Sequence, residues 1–295
     1  MSRLRDTEER NTTLACFYLL LTILGFTGVT FFMKWGGQKG NSPLGLASVL
    51  FIASSVLTAV PFLTGSSLAF SKGILFYGIL AGVGGAVALV LFAHALQIGH
   101  YGFSVAILHM SCLIPVIFSV LFLDATLGVT KGIGLSSILL GLFLITSSTA
   151  SSESKESKHW IRWLIFISSA FFLNGIPQVA QSLVAKAAVA DYAPFLFINY
   201  FSGAIVLFLV TLRGRHFNVP TILFGSGGAV GSVLGYACVL KSLEFLKPPV
   251  VFPISLNGPV VAATMLSRLF FRERISRLGY VGIVCGITGI IILAL

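Results

Sequence analysis

Three side-chain amides carry the most concentrated polar chemistry in this sequence. Asn174, Gln178 and Gln181 stand four and seven residues apart inside residues 163 to 185, a run without a single Asp, Glu, Lys or Arg. That spacing puts all three on one face of a helix. An amide offers donors and an acceptor but no charge, so such a face can hydrogen-bond a polar solute or hold a neighbouring helix. It supplies neither a nucleophile nor a general acid. Asn199, Asn257, His109 and Tyr236 lie in other apolar runs and are further candidates for lining a solute pathway. His94 and Tyr77 are weaker ones, because a lone His or Tyr inside a bundle is usually a satisfied structural group.

What is missing narrows the chemistry further. The nine acidic residues, Asp6, Glu8, Glu9, Asp124, Glu153, Glu156, Asp191, Glu244 and Glu273, all fall in the termini, loops or helix ends of the pattern described below. Proton-coupled carriers generally move the proton on a buried ionisable group, which would leave His94, His109 or a helix-end acid for the task. A facilitator or weakly coupled carrier fits the sequence better. Intramembrane metal hydrolases and lipid transferases need clustered Asp, Glu or His ligands, and no such cluster is present. A GxSxG nucleophile turn and a GxxxxGK[ST] phosphate loop are absent as well. Cys16, Cys112, Cys238 and Cys285 show no metal-ligand spacing and read as packing residues. The expectation is therefore a non-enzyme with no cofactor and no metal.

The elements that position these residues follow from composition. Charged residues make up 9% of the 295 and hydrophobic ones 56%. A bilayer core about 30 Å thick is crossed by roughly 20 apolar residues of helix. Runs 11 to 33, 163 to 185, 193 to 212 and 248 to 267 are each one uncharged span. Residues 73 to 123 divide into two at Gly99-His100-Tyr101-Gly102, and 43 to 63, 132 to 152, 216 to 240 and 278 to 295 complete ten helices. The fold class is an all-α membrane protein. A formal charge of +10 would suggest nucleic acid in a soluble protein, but here Lys and Arg sit at helix ends and in short loops, where they meet lipid headgroups. The partners read as a small-molecule solute and membrane lipids, with no nucleic acid. Basic residues divide between the two sides without a decisive bias, so they set neither the orientation nor an oligomeric state.

The ten spans form two copies of five. Pro43 is answered by Pro194, Gly84-Gly85 by Gly227-Gly228, Pro115 by Pro259, and the pair Gly134 and Gly141 by Gly279 and Gly286, at a shift of about 145 residues. Duplicated helical halves are how many secondary transporters are built. The domains read as 1–148 and 161–295, joined by a polar Ser, Glu and Lys-rich linker over 149–160. Pro115 and Pro259 fall near the middle of their spans, where a proline removes a backbone donor and leaves polar backbone that lipid cannot satisfy. These prolines and the two glycine pairs are the expected bending points.

The residues that repeat also resemble a known family. The stretches IPVIFSVLFLDATLGVTKGIGLSSILLGLFLI and GPVVAATMLSRLFFRERISRLGYVGIVCGITGIIIL are similar to the ten-helix EamA-type branch of the drug/metabolite transporter superfamily. They share its Pro-Val in an apolar helix, a turn marked by an acid (Glu273, with Gly128 at the aligned first position) and a following helix with glycines seven apart. Gly28, Lys34 and Pro43, then Gly175, Lys186 and Pro194, resemble its opening pattern. Spans 44 to 63 and 193 to 212 lack the Arg the family commonly carries, and the Trp before the glycine is missing. The resemblance implies inverted halves around a central cavity, alternating access, and a multi-pass place in the bacterial cytoplasmic membrane. It also implies substrates among amino acids, other metabolites, sugars, nucleotide-sugars or drugs. The smaller multidrug members use a Glu in the first helix, and residues 11 to 33 have none. The expected function is a carrier of small polar metabolites, with amino acid export among its forms. Lipid scrambling or multidrug export on the same scaffold are the alternatives.

Overall fold

The computed structural model describes residues 2–63, 71–98, 101–150, 160–187, 192–212, 214, 216–270 and 275–294. Its helices are α1 (Ser2–Gln38), α2 (Pro43–Leu63), α3 (Lys72–Ile98), α4 (Tyr101–His109), α5 (Leu113–Phe122), α6 (Val129–Ala150), α7 (Trp160–Lys186), α8 (Ala193–Thr211), α9 (Val219–Ser242), α10 (Pro248–Phe270) and α11 (Arg277–Ala294). A 3-10 turn, Met110–Cys112, joins α4 to α5. Ten stretches among the described residues are long and apolar enough to cross a membrane, and α4, the turn and α5 together make one of them. No strand occurs among the described residues. Residues 151–159 of the expected linker, and Glu273 of the family pattern, lie outside the described residues.

Local chemistry sets the helix starts. Pro43, Pro194, Pro220 and Pro248 stand in the first turns of α2, α8, α9 and α10, where a missing N–H costs nothing. Asn218 caps α9, its side-chain oxygen accepting the Thr221 N–H at 2.7 Å. The first connection is shorter than the sequence suggests. Helix α1 continues past Lys34 to Gln38, and the chain reverses at Gly40 with φ +80°, a left-handed conformation that glycine adopts without penalty.

The two repeats interleave. Helix α1 packs on α9 and α10, and α7, its counterpart, packs on α3 and α5. Helix α2 meets α9 as α8 meets α3. The pairs α2 with α8 and α6 with α11 join each helix to its own copy, as a pseudo-two-fold axis requires.

Lipid supplies no hydrophobic drive for helix association, so close contact must come from small residues. The glycines that repeat in sequence meet each other in space. A Cβ on Gly141 of α6 would lie 2.6 Å from the Gly286 nitrogen and 2.7 Å from the Gly282 oxygen of α11. One on Gly25 of α1 would lie 2.6 Å from the Gly231 oxygen of α9. The glycine pairs are packing positions too: Gly84 faces Ile176 and Gly85 faces Pro177, while Gly227 faces Phe32 and Gly228 faces Leu50. Helices α3 and α9 run through both pairs unbroken.

The backbone contact at Gly141 predicts a clear contrast. Gly141→Ala is expected to destabilise the purified protein by about 1–3 kcal/mol, the usual cost of overpacking, read as a fall of several degrees in its melting temperature. Gly28→Ala, at a position with nothing within 4 Å, is expected to leave that temperature unchanged or raise it.

Candidate functional site

The centre of the molecule is built around Pro115. In a continuous helix its ring would strip the Ser111 carbonyl of its donor. The chain instead ends α4 at His109, takes the turn Met110–Cys112 and restarts at Leu113. Pro115 then falls in the first turn of α5, where no intrahelical N–H is needed. Buried amides gather on that turn. Asn174 donates from Nδ2 to Ser111 Oγ at 2.8 Å. Gln178 Nε2 lies 3.4 Å from the same oxygen and donates to the Asn174 carbonyl at 3.0 Å. Asn257 donates to the Pro253 carbonyl at 3.0 Å and touches Cys112 Sγ at 3.7 Å. The remaining oxygens of Gln178 and Asn257 are buried without a hydrogen-bond partner.

Beside this turn lies a cavity of about 280 Å³, walled by α1, α2, α3 and α4 of the first repeat and by α7, α8, α9 and α10 of the second. Helices α6 and α11 take no part in the wall. Of the residues expected to line a pathway, His109, Asn174, Asn199 and Tyr236 stand on it, together with Pro259 and Gly85. Gln178, Gln181 and Asn257 do not border it and are buried elsewhere in the bundle. Gln178 turns to Ser111, and Asn257 looks toward Ile138, Leu142 and Gly286 instead. Pro115, Gly84, Gly227 and Gly228 also lie off the wall. His94 is exposed on α3, where Nδ1 meets the Val90 carbonyl at 2.8 Å, and Tyr77 packs against an apolar cluster.

Other wall residues escaped the sequence reading. Pro177 stands on the wall from within an unbroken α7. Ser255 does so from α10, four residues before Pro259, so that the ring removes the donor for its carbonyl. The signal for Ser255 was available, since Ser-x-x-x-Pro occurs in both copies, at Ser111 to Pro115 and at Ser255 to Pro259. Helix α10 runs through Pro259 to Phe270, whereas the span of Pro115 divides at the turn Met110–Cys112. The broken and unbroken spans meet where His109 bonds the backbone of Leu256.

Two further spaces follow the seam between α1 and α10. A slit of about 10 Å³ shares Thr30 with the cavity and is bordered by Lys34, Leu266 and Ser267. It has room for about one water. Lys34 donates across it to Ser267 Oγ at 2.9 Å. Beyond, sharing Phe31, a recess of about 420 Å³ is lined by Trp35, Gln38, Lys39 and Phe270. The opposite side of the bundle is tied at the loops: Lys241 pairs with Glu244 at 2.9 Å and sits 5.3 Å over the Tyr192 ring. Burial, and then the bonded Glu244 carboxylate, push the Tyr192 phenol above its ordinary range.

Ten spans in two inverted copies, enclosing a polar cavity between them, define a membrane transporter of the duplicated-helix kind. The chain belongs to the EamA-like transporter family, which residues 13–147 and 161–295 both match, one copy to each half. It is thus an integral, multi-pass membrane protein of the drug/metabolite transporter superfamily. It is 26% identical over 190 residues to an uncharacterized protein of Haemophilus influenzae, a match spanning 61% of this chain and 62% of that protein, less than two thirds of its length. A crystal structure of a protein 13% identical in sequence superposes with a TM-score of 0.77 over 94% of this chain and 95% of the other. That likeness shows the fold alone.

The Ser111 turn gives the second prediction. Ser111→Ala deprives Asn174 and Gln178 of their shared acceptor, and a loss of about 1–3 kcal/mol is expected, the cost of stranding buried polar groups. Asn257→Leu removes an oxygen that has no partner, so its change should stay within about 1 kcal/mol. Thermal unfolding of the two purified variants measures both.

Proposed function

We propose that the protein carries small polar solutes across the membrane by alternating access between its two five-helix halves, binding them in the central cavity. The observation that carries this reading is the wall itself. His109 from the first half and Asn174, Asn199 and Tyr236 from the second converge on one space between the repeats. Polar groups at that depth are costly unless they face protein or a watery cavity. Pro115, Pro259 and the pairs Gly84-Gly85 and Gly227-Gly228 would be the places where helices bend as the halves rock. No reaction chemistry is assigned to the site, and the membrane proposed is the bacterial cytoplasmic one. Amino acids are one solute class of suitable size.

A second reading, lipid carriage, draws on the recess at the α1–α10 seam. Its Trp35 and Lys39 are the residue types that seek the headgroup level. The slit of about 10 Å³ bridged by Lys34 and Ser267 is too narrow for a headgroup, which favours the solute reading.

Both are tested in proteoliposomes. A broad metabolite panel is expected to reveal a transported solute, with uptake falling about tenfold or more in Asn174→Ala and His109→Ala. Fluorescent-lipid scrambling in the same vesicles is expected to stay at the protein-free level. Scrambling without solute movement, or transport indifferent to both substitutions, refutes the proposal.

A further inference from the structure

The wall of the central cavity also speaks to what it holds. Four rings form a continuous arc along it. Phe26 of α1 meets Tyr236 of α9 at 5.1 Å and 77°. Tyr236 meets Tyr200 of α8 at 5.9 Å and 84°, and Tyr200 meets Phe51 of α2 at 5.7 Å and 74°. All four border the cavity. This edge-to-face chain is the arrangement that ring quadrupoles favour, and a further ring can join it at the same centroid spacing. The Tyr200 hydroxyl is spent inside the wall, 2.7 Å from Ser232 Oγ.

Polar groups reach the cavity from the ring-bearing helices, with Thr30 on α1, Asn199 on α8 and Ser232 on α9, and from other helices, with His109 on α4, Asn174 on α7 and Ser255 on α10. Asn174 spends one Nδ2 hydrogen on Ser111, which fixes the amide and leaves its oxygen as an acceptor. That oxygen can take an N–H or O–H donor of a solute. Among the described residues bordering the cavity none is Asp, Glu, Lys or Arg. An ion leaving water for such a wall finds no counter-charge to offset its dehydration. Ring faces can attract a cation, but no carboxylate stands beside them. A free amino acid carries two full charges even at zero net charge, and the wall pairs neither. At about 280 Å³, with roughly 30 Å³ per liquid water, the space suits one ring with a small polar substituent.

We propose that the central cavity is a site for uncharged aromatic solutes that carry a hydrogen-bond donor, the ring resting on Phe26, Tyr236 and Phe51, which the buried Tyr200 backs, and the donor meeting Asn174. This rests on the reading of the cavity as the transport site and narrows its substrate class.

Equilibrium binding to the purified protein tests it with three probes of one shape and different charge: benzamide, benzoate and benzamidine. Titrations run at about pH 8, above the ordinary imidazole value near 6.5. Benzamide is expected to bind at least tenfold more tightly than either ion. Tyr236→Leu should weaken it about tenfold, Tyr236→Phe should restore it because the ring returns, and Asn174→Leu should weaken it severalfold. The proposal is overturned by a charged probe binding as well as benzamide, by no probe binding, or by benzamide affinity unchanged in Tyr236→Leu and Asn174→Leu. Binding is read here without transport, so failure of carriage in vesicles and failure of this solute class give separate results.

Discussion

Inside a bilayer a backbone carbonyl that loses its helical donor has only the protein to turn to, and the centre of this molecule is arranged by that constraint. Pro115 imposes it at Ser111. The chain answers with a 3-10 turn, which turns the Ser111 hydroxyl and the Cys112 thiol toward the helices around it. Asn174 and Gln178 reach that hydroxyl from α7, and Asn257 touches Cys112 from α10. These contacts tie the fourth span of the first repeat to the first and fourth spans of the second. They also fix which way α7 faces, and so which of its polar side chains reaches the cavity.

The same constraint is met differently in the second copy. Pro259 lies deep in α10, yet the helix continues, with the Ser255 hydroxyl bonding back to the Val251 carbonyl at 2.6 Å and Asn257 to that of Pro253. Ser255 thus settles onto its own helix, while Asn257 does so and also touches Cys112 of the first repeat. Pro177, another proline on the wall, has no counterpart in the first repeat, where Thr30 stands if Gly28 is aligned with Gly175. A symmetric backbone therefore carries an unsymmetric lining. Duplication supplies the scaffold, and divergence at a few mid-span positions supplies a pocket that the two copies line with different residues.

The fold was legible because its signals are set by the membrane rather than by packing. An uncharged run of span length has few other uses, and the repeated prolines and glycines fix the copies against each other. Gly141 and Gly286, which answer each other in the repeat, meet in space because lipid leaves small residues as the means of close approach. The site was less legible. Spacing places Asn174, Gln178 and Gln181 on one face, and they do share one, but it does not say what the face meets. A step of four residues turns a helix by about 40° beyond a full circle, enough to send Asn174 to the cavity and Gln178 to the turn. Phe26 and Phe51 were hidden for another reason. In a chain with 26 phenylalanines, a ring facing a cavity looks in sequence like one facing lipid.

The seams of this structure also differ in what makes each. Helices α6 and α11 touch backbone to backbone through Gly134, Gly141, Gly282, Gly286 and Gly289, and they contribute nothing to the cavity wall. Separating them would forfeit dense contact that lipid cannot replace. The α1–α10 seam is of another kind. Near the cavity it contains a slit of about 10 Å³, which Lys34 spans to Ser267 at 2.9 Å.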